Sequence, residues 1–260
     1  MDFSNIRIEK HPPLAVVTID RPKVLNALDI DTIAGLATAF DDLAGDGAIR
    51  VILLAGGGGR AFVAGADIRQ LASLTAEEAR ELSQRGQGVF RRIETMGKPV
   101  IACIQGFALG GGCELAMACT LRIAAEDARL GQPEVKLGIL PGYGGSQRLP
   151  RLVGRGAALK LLLTGAIVDA REALRIGLVD EVVPADQLMT RAESQALEIA
   201  ANAPLALREV LRVVDEGFNQ ALEAGLALES SAFGRLAGTS DFAEGTRAFM
   251  EKRSPAWKNQ

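Results

Sequence analysis

The sequence has one histidine, one tyrosine and one tryptophan in 260 residues. The single imidazole, His11, stands beside Pro12-Pro13 and reads as a surface turn residue. That place in a turn near the N-terminus argues against a His-based catalytic triad, and the lack of a second histidine argues against a His-rich metal site. Cysteine is scarce too. Cys103, Cys113 and Cys119 are odd in number and form no CxxC pair, which argues against a secreted disulfide framework. Aromatics make up 4% of the chain, so the core is built from Ala, Leu, Val and Ile. No stretch approaches the roughly 18 uninterrupted apolar residues of a membrane span. The opening segment MDFSNIRIEK is mixed and charged, without the apolar centre of a signal peptide. The expectation is a soluble, cytoplasmic protein. Nor is there an excess of positive charge: 29 basic against 32 acidic residues give a net charge of −3. A nucleic-acid partner normally needs a basic domain, and none is present. Short basic patches still suffice for a phosphorylated ligand.

What is abundant is glycine, 29 residues, which implies many tight turns and close backbone approaches. The first half alternates strand and helix. Ile6–Lys10 and Leu14–Ile19 read as strands around the Pro-Pro turn. Asp29–Leu43 has helical spacing, and Val51–Ala55 is a short buried strand leading into Gly56–Gly59. Thr75–Ile93 reads as a long amphipathic helix whose first turn holds Glu77 and Glu78, suiting the helix dipole. Pro99–Ile104 is another buried strand; Gly106–Gly112 is a turn, and Cys113–Ala118 a short helix. Leu121–Ala125 and Ala128–Leu130 are strand-like, and the alternation indicates an α/β arrangement. From Gly144 on, helical patterns dominate, at Ala157–Thr164, Ala170–Ile176, Asp186–Asn202, Leu205–Asp215, Gln220–Leu236 and Asp241–Lys252, with one extended piece at Leu178–Val183. The expected division is an α/β core over residues 1–200 and a helical region over 201–260.

Four segments carry chemistry: AFVAGADI (61–68), GFALGGGCELA (106–116), GQPEV (131–135) and PGYGGSQRL (141–149). Three consecutive glycines, Gly110 to Gly112, lead into a helix, so backbone N–H groups can approach a ligand without Cβ obstruction. A helix N-terminus offers unpaired donors and partial positive charge, suited to an oxygen that turns negative. Glu114 follows in the first turn. It reads either as a surface carboxylate complementing the dipole or, given its apolar flanks, as a buried acid with perturbed proton affinity. Asp67 reads as a helix N-cap. The glycine clusters form neither a P-loop nor a GxGxxG fingerprint. Glu134 follows Pro133, with two strand-like segments between it and Glu114, enough for the chain to fold back. Two carboxylates in one site form an acid/base device, because sharing drives their proton affinities apart.

Read together and in order, these segments resemble the signature of the crotonase superfamily, specifically its enoyl-CoA hydratases. The resemblance runs from VVTIDRPKVLNAL to AFMEKRSPAW and includes GFALGGGCELAMAC and GQPEVKLGILPGYGGSQRLPR. It implies a crotonase-type spiral of β-β-α turns followed by a helical C-terminal trimerisation region, with homotrimers or hexamers as assemblies. It also implies syn hydration of a 2-trans-enoyl-CoA, as in fatty-acid β-oxidation. Glu114 and Glu134 match the family's catalytic glutamates, and the backbone N–H groups of Ala66 and Gly111 match its oxyanion hole. The substrate is expected along Ala64, Asp67, Ile68, Leu109, Pro133, Pro141, Gly142 and Tyr143. Lys23, Val24 and Ala27 resemble positions at the CoA end, and Phe249 and Lys252 match positions that reach a neighbouring subunit's CoA. No metal or cofactor is implied, since CoA belongs to the substrate, and neither is a nucleic-acid or membrane partner. Tyr143 stands where the family often has a small residue; it either narrows the acyl end or packs as a loop aromatic on a neighbouring helix. The alternatives are an enoyl-CoA isomerase, which typically keeps one of the two glutamates, another acyl-CoA lyase of the superfamily, an RNA-binding role and a silent scaffold. Both glutamates favour hydration, and the acidic balance argues against RNA.

Overall fold

The computed structural model describes residues 5–260; the first four residues of the charged N-terminal segment lie outside the described residues. The chain opens with an antiparallel pair, β1 (Ile6–His11) and β2 (Leu14–Ile19), and continues into helix α1 (Ile30–Gly45). Asp29 caps α1, its carboxylate accepting from Thr32 N at 2.8 Å and from the Thr32 hydroxyl at 2.6 Å. A strand-strand-helix unit then runs three times. The first pass is β3 (Val51–Gly56), β4 (Ala61–Val63), the single turn α2 (Ile68–Leu71) and α3 (Ala76–Thr95). The second is β5 (Val100–Ile104), β6 (Phe107–Leu109) and α4 (Gly111–Met117). The third is β7 (Leu121–Ala125), β8 (Arg129–Gly131), α5 (Gly145–Val153) and α6 (Arg155–Thr164). β9 (Ile167–Asp169), α7 (Ala170–Arg175), β10 (Glu181–Val183) and α8 (Leu188–Ala200) complete the sheets and their cover. α9 (Pro204–Gly217), α10 (Leu222–Ala237) and α11 (Ser240–Met250) follow.

In each pass the first strand joins one sheet and the second joins another. The larger sheet has the order β1-β2-β3-β5-β7-β10 and is parallel beyond the first pair. The smaller has the order β4-β6-β8-β9, with β9 antiparallel. Parallel strands read as continuous apolar runs because helices cover both faces, and side chains alternate between the faces. Ile52, Leu54, Ala102 and Ile104 enter the main core with Phe40 of α1 and Phe90 of α3. Val51, Leu53, Ile101 and Cys103 face the other way, under Leu188, Ala192, Ala196 and Ala200 of α8. Those four recur every fourth residue and so share one face of the helix.

The α/β reading agrees with these elements, and so does the capped entry of α3, where Thr75 and Glu78 form a reciprocal capping box. Three features differ from the expectation. The segment read as a glycine turn contains β6, and α4 begins at Gly111 rather than Cys113. Of the smaller sheet only β8 was expected, as Ala128–Leu130; strands of three residues are too short to show alternation. Helix α5 was not expected: Pro150 lies inside it, and a proline there removes a helical N–H. No side chain of α9 is buried, and α10 buries only Ala232. Among the described residues no helix is long and apolar enough to cross a membrane.

Candidate active site

The site forms where β4 and β6 hand over to their helices. Gly110 precedes α4 with φ +49°, and a Cβ there would lie 2.9 Å from Glu134 Oε1, so both conformation and space call for glycine. At Gly112 a Cβ would lie 2.0 Å from the Val63 carbonyl; α4 therefore stands directly on β4. The Gly111 N–H opens the helix and has no intrahelical partner. Across from it is Ala66, whose N lies 3.5 Å from where a Gly111 Cβ would be. Among the described residues neither N–H donates to a protein acceptor. The loop bearing Ala66 is stitched to the N-terminal segment: Leu28 N donates to Gly65 O and Asp67 N to Leu28 O, both at 2.8 Å, and Ala64 N donates to Leu25 O at 3.0 Å. Asn26, fully buried, braces that segment by donating to Gly57 O (3.0 Å) and Ala61 O (2.8 Å).

Glu114 is 1% exposed and Glu134 8%. Glu114 Oε1 accepts from Tyr143 N at 2.8 Å and Gly145 N at 2.6 Å. Its pKa is raised to about 7, chiefly by burial and in smaller part by the nearby Glu134 carboxylate, against the pull of the two N–H donors. Burial also raises Glu134 to about 7. Gln132, with its amide nitrogen turned to Glu134, donates to both carboxylate oxygens at 2.8 and 3.1 Å. The loop that supplies the donors to Glu114 is itself fixed. Arg148 donates to Tyr143 O at 2.8 Å while pairing with Glu94, and the Ser83 hydroxyl donates to Gly142 O at 2.5 Å.

Both carboxylates, Ala66 and Gly111 line one cavity of 590 Å³, with Leu71, Leu74, Leu82, Ile139 and Leu140 among its apolar walls. An apolar cavity with two carboxylic groups of raised proton affinity and two free backbone donors can move a proton to or from an apolar substrate while stabilising an oxyanion. Over residues 9–260 the sequence matches the pattern of the enoyl-CoA hydratase/isomerase family. The chain belongs to that family. It is 48% identical over 253 residues to a crotonyl-CoA hydratase of Syntrophomonas wolfei, covering 97% of each chain. It is 46% identical over 253 residues to a short-chain-enoyl-CoA hydratase of Clostridium acetobutylicum, again covering 97% of each. Its fold superimposes on the crystal structure of an enoyl-CoA hydratase from Bacillus anthracis with a TM-score of 0.95 at 38% identity, over 98% of this chain and all of that one. The β-β-α spiral with its C-terminal helices is thus the crotonase fold.

Of the residues this family resemblance singles out, Ala64, Ala66, Ile68, Gly111, Glu114, Pro133, Glu134, Gly142 and Tyr143 meet at the cavity. The others lie outside its lining. Asp67 caps α2 by accepting from Arg69 N at 3.2 Å and stands 3.6 Å from Arg21. Leu109 presents its carbonyl to Gly65, and Pro141 packs against Gly145. Lys23, Val24 and Ala27 belong to the short helical turn and loop leading to Leu28. Phe249, 85% exposed, and Lys252 lie at the end of α11 and do not line their own chain's cavity. Residues that the sequence reading did not single out include Gln132, Asn26, Arg148 and the wall contributed by α3. Gln132 adjoins Pro133 in a quoted motif, but its link to Glu134 depends on how the turn folds back.

Proposed function

We propose that the protein is an enoyl-CoA hydratase, a hydro-lyase that adds water reversibly and with syn geometry to a 2-trans-enoyl-CoA, giving a 3-hydroxyacyl-CoA. The observation that carries this reading is the pair of buried carboxyl groups, Glu114 and Glu134, in one cavity with the free Ala66 and Gly111 N–H groups. The thioester carbonyl takes those two donors, which stabilise the enolate-like oxygen as water attacks C3. Glu114, held by two N–H groups, is the base that activates water. Glu134 is the acid that delivers a proton to C2. The pantetheine arm runs past Ala64–Ile68, and Lys23, Val24 and Ala27 flank the CoA end. This chemistry requires no metal or redox cofactor; CoA enters as part of the substrate.

The purified protein is expected to hydrate crotonyl-CoA, measured as loss of the conjugated thioester absorbance. A base must be ionised and an acid protonated. With both carboxyls raised to about 7, kcat/KM falls on the acid side as the pair takes up its second proton and on the alkaline side as it loses its last. The expected profile is a narrow bell centred near neutrality. No hydration of any enoyl-CoA would sink the reading.

The assembly proposed with this function is a homotrimer or a pair of trimers. In support, α9, the Phe218 that follows it and α10 expose Val210, Val214, Phe218, Leu222, Leu226 and Phe233, large apolar side chains of the kind a partner subunit covers. Light scattering at micromolar concentration should report three or six chains; a monomer contradicts the proposal.

A further inference from the structure

Tyr143, the only tyrosine in the chain, is 5% exposed. Both readings of it prove compatible, since the ring packs on a helix and lines the cavity. It meets Phe90 of α3 edge-on, with centroids 5.5 Å apart and planes at 75°. One turn earlier α3 carries Gly86, where a Cβ would lie 2.2 Å from Tyr143 Cδ1 and 2.5 Å from Cε1. The opposite edge of the ring faces Gly111, where a Cβ would lie 3.2 Å from Cδ2 and 3.4 Å from Cε2. The ring is therefore held between two residues without side chains, one on the helix and one in the oxyanion hole. Its backbone is fixed as well, the N–H by Glu114 and the carbonyl by Arg148, each at 2.8 Å. A well-packed ring of this kind has no empty space to retreat into.

The position of the ring matters because of what surrounds it. On the hydratase reading above, on which this inference rests, the thioester oxygen lies at Ala66 and Gly111 and the reacting carbons lie beside Glu114 and Glu134. A ring facing Gly111, on the residue whose N–H holds Glu114, begins within a few carbons of the reacting atoms. An acyl tail growing inward past C4 meets it. We propose that Tyr143, seated between Gly86 and Gly111, is the stop at the inner end of the acyl cavity and restricts the enzyme to short enoyl groups.

The test measures kcat/KM for crotonyl-CoA and trans-2-decenoyl-CoA and reads the ratio of the two. Wild type is expected to favour crotonyl-CoA by roughly tenfold or more, since each mismatched methylene in a fitted pocket costs about that much. Tyr143→Ala should raise the decenoyl-to-crotonyl ratio by roughly tenfold or more, and Tyr143→Leu, which fills more of the space if the alanine variant fails to fold, should raise it less. Gly86→Ala should drive the ring toward Gly111 and lower turnover of both substrates. Gly86→Ala/Tyr143→Ala should recover part of that loss, because the added methyl then has no ring to displace. Equal wild-type rates on both substrates, or an unchanged ratio in Tyr143→Ala and Tyr143→Leu, would overturn the stop. A wild type inactive on both substrates would instead remove the hydratase reading, and the proposal with it.

Discussion

Glu114→Gln and Glu134→Gln should each lower turnover of crotonyl-CoA by roughly 100- to 10,000-fold, the usual contribution of a positioned acid or base. Glutamine keeps the shape and the carbonyl oxygen that accepts from Tyr143 N and Gly145 N, so the loop over the site stays in place. What is lost is the capacity to exchange a proton. The double variant should lose far less than the product of the two single losses, because groups that serve one transition state are strongly non-additive. Stopped-flow or steady-state absorbance of the conjugated thioester measures all three. Near wild-type turnover in Glu134→Gln with Glu114→Gln inactive would move the protein to a one-glutamate isomerase.

The second large effect is expected at Gly111→Pro. Backbone donors cannot be trimmed by side-chain substitution, but proline has no N–H and is tolerated at the first position of a helix. Its ring carbons would ask Tyr143 to give a few tenths of an ångström, since a Cβ there stands 3.2 Å from Cδ2. Loss of one oxyanion donor costs roughly 100- to 1,000-fold in rate. Affinity for CoA, titrated calorimetrically, should change far less, because CoA itself places no oxyanion between Ala66 and Gly111. A collapse of CoA affinity with the rate of bound substrate intact would show that Gly111 shapes the binding cleft rather than the transition state. Thermal unfolding of the variant distinguishes either result from loss of the fold.

These expectations differ in how far the sequence carried them. The glycine run before Glu114 and the isolated acid among apolar residues are legible as local patterns, whereas joining the segments around Ala66, Glu114, Glu134 and Tyr143 into one site came from the family resemblance. Asp67 shows the limit of the local view. Its sequence supports both an N-cap and a place beside the substrate, and the structure gives its carboxylate to Arg69 N and Arg21. Gln132 shows the converse, a neutral residue whose importance lies in an amide directed at Glu134.

The alternation of apolar strand and amphipathic helix and the capped starts of α1 and α3 are written in the chain itself. Those features rest on periods of two and 3.6 residues and on caps, which act between near neighbours in the chain. Only the folded chain shows the assembly of the smaller sheet, helix α5 with its internal proline, and the Glu114 contacts to Tyr143 N and Gly145 N. It also decided the seat of Tyr143 against Gly86. Strands of three residues carry no readable period. Contacts between residues tens of positions apart are fixed by how β4, β6 and β8 align side by side, and only the folded chain settles that register.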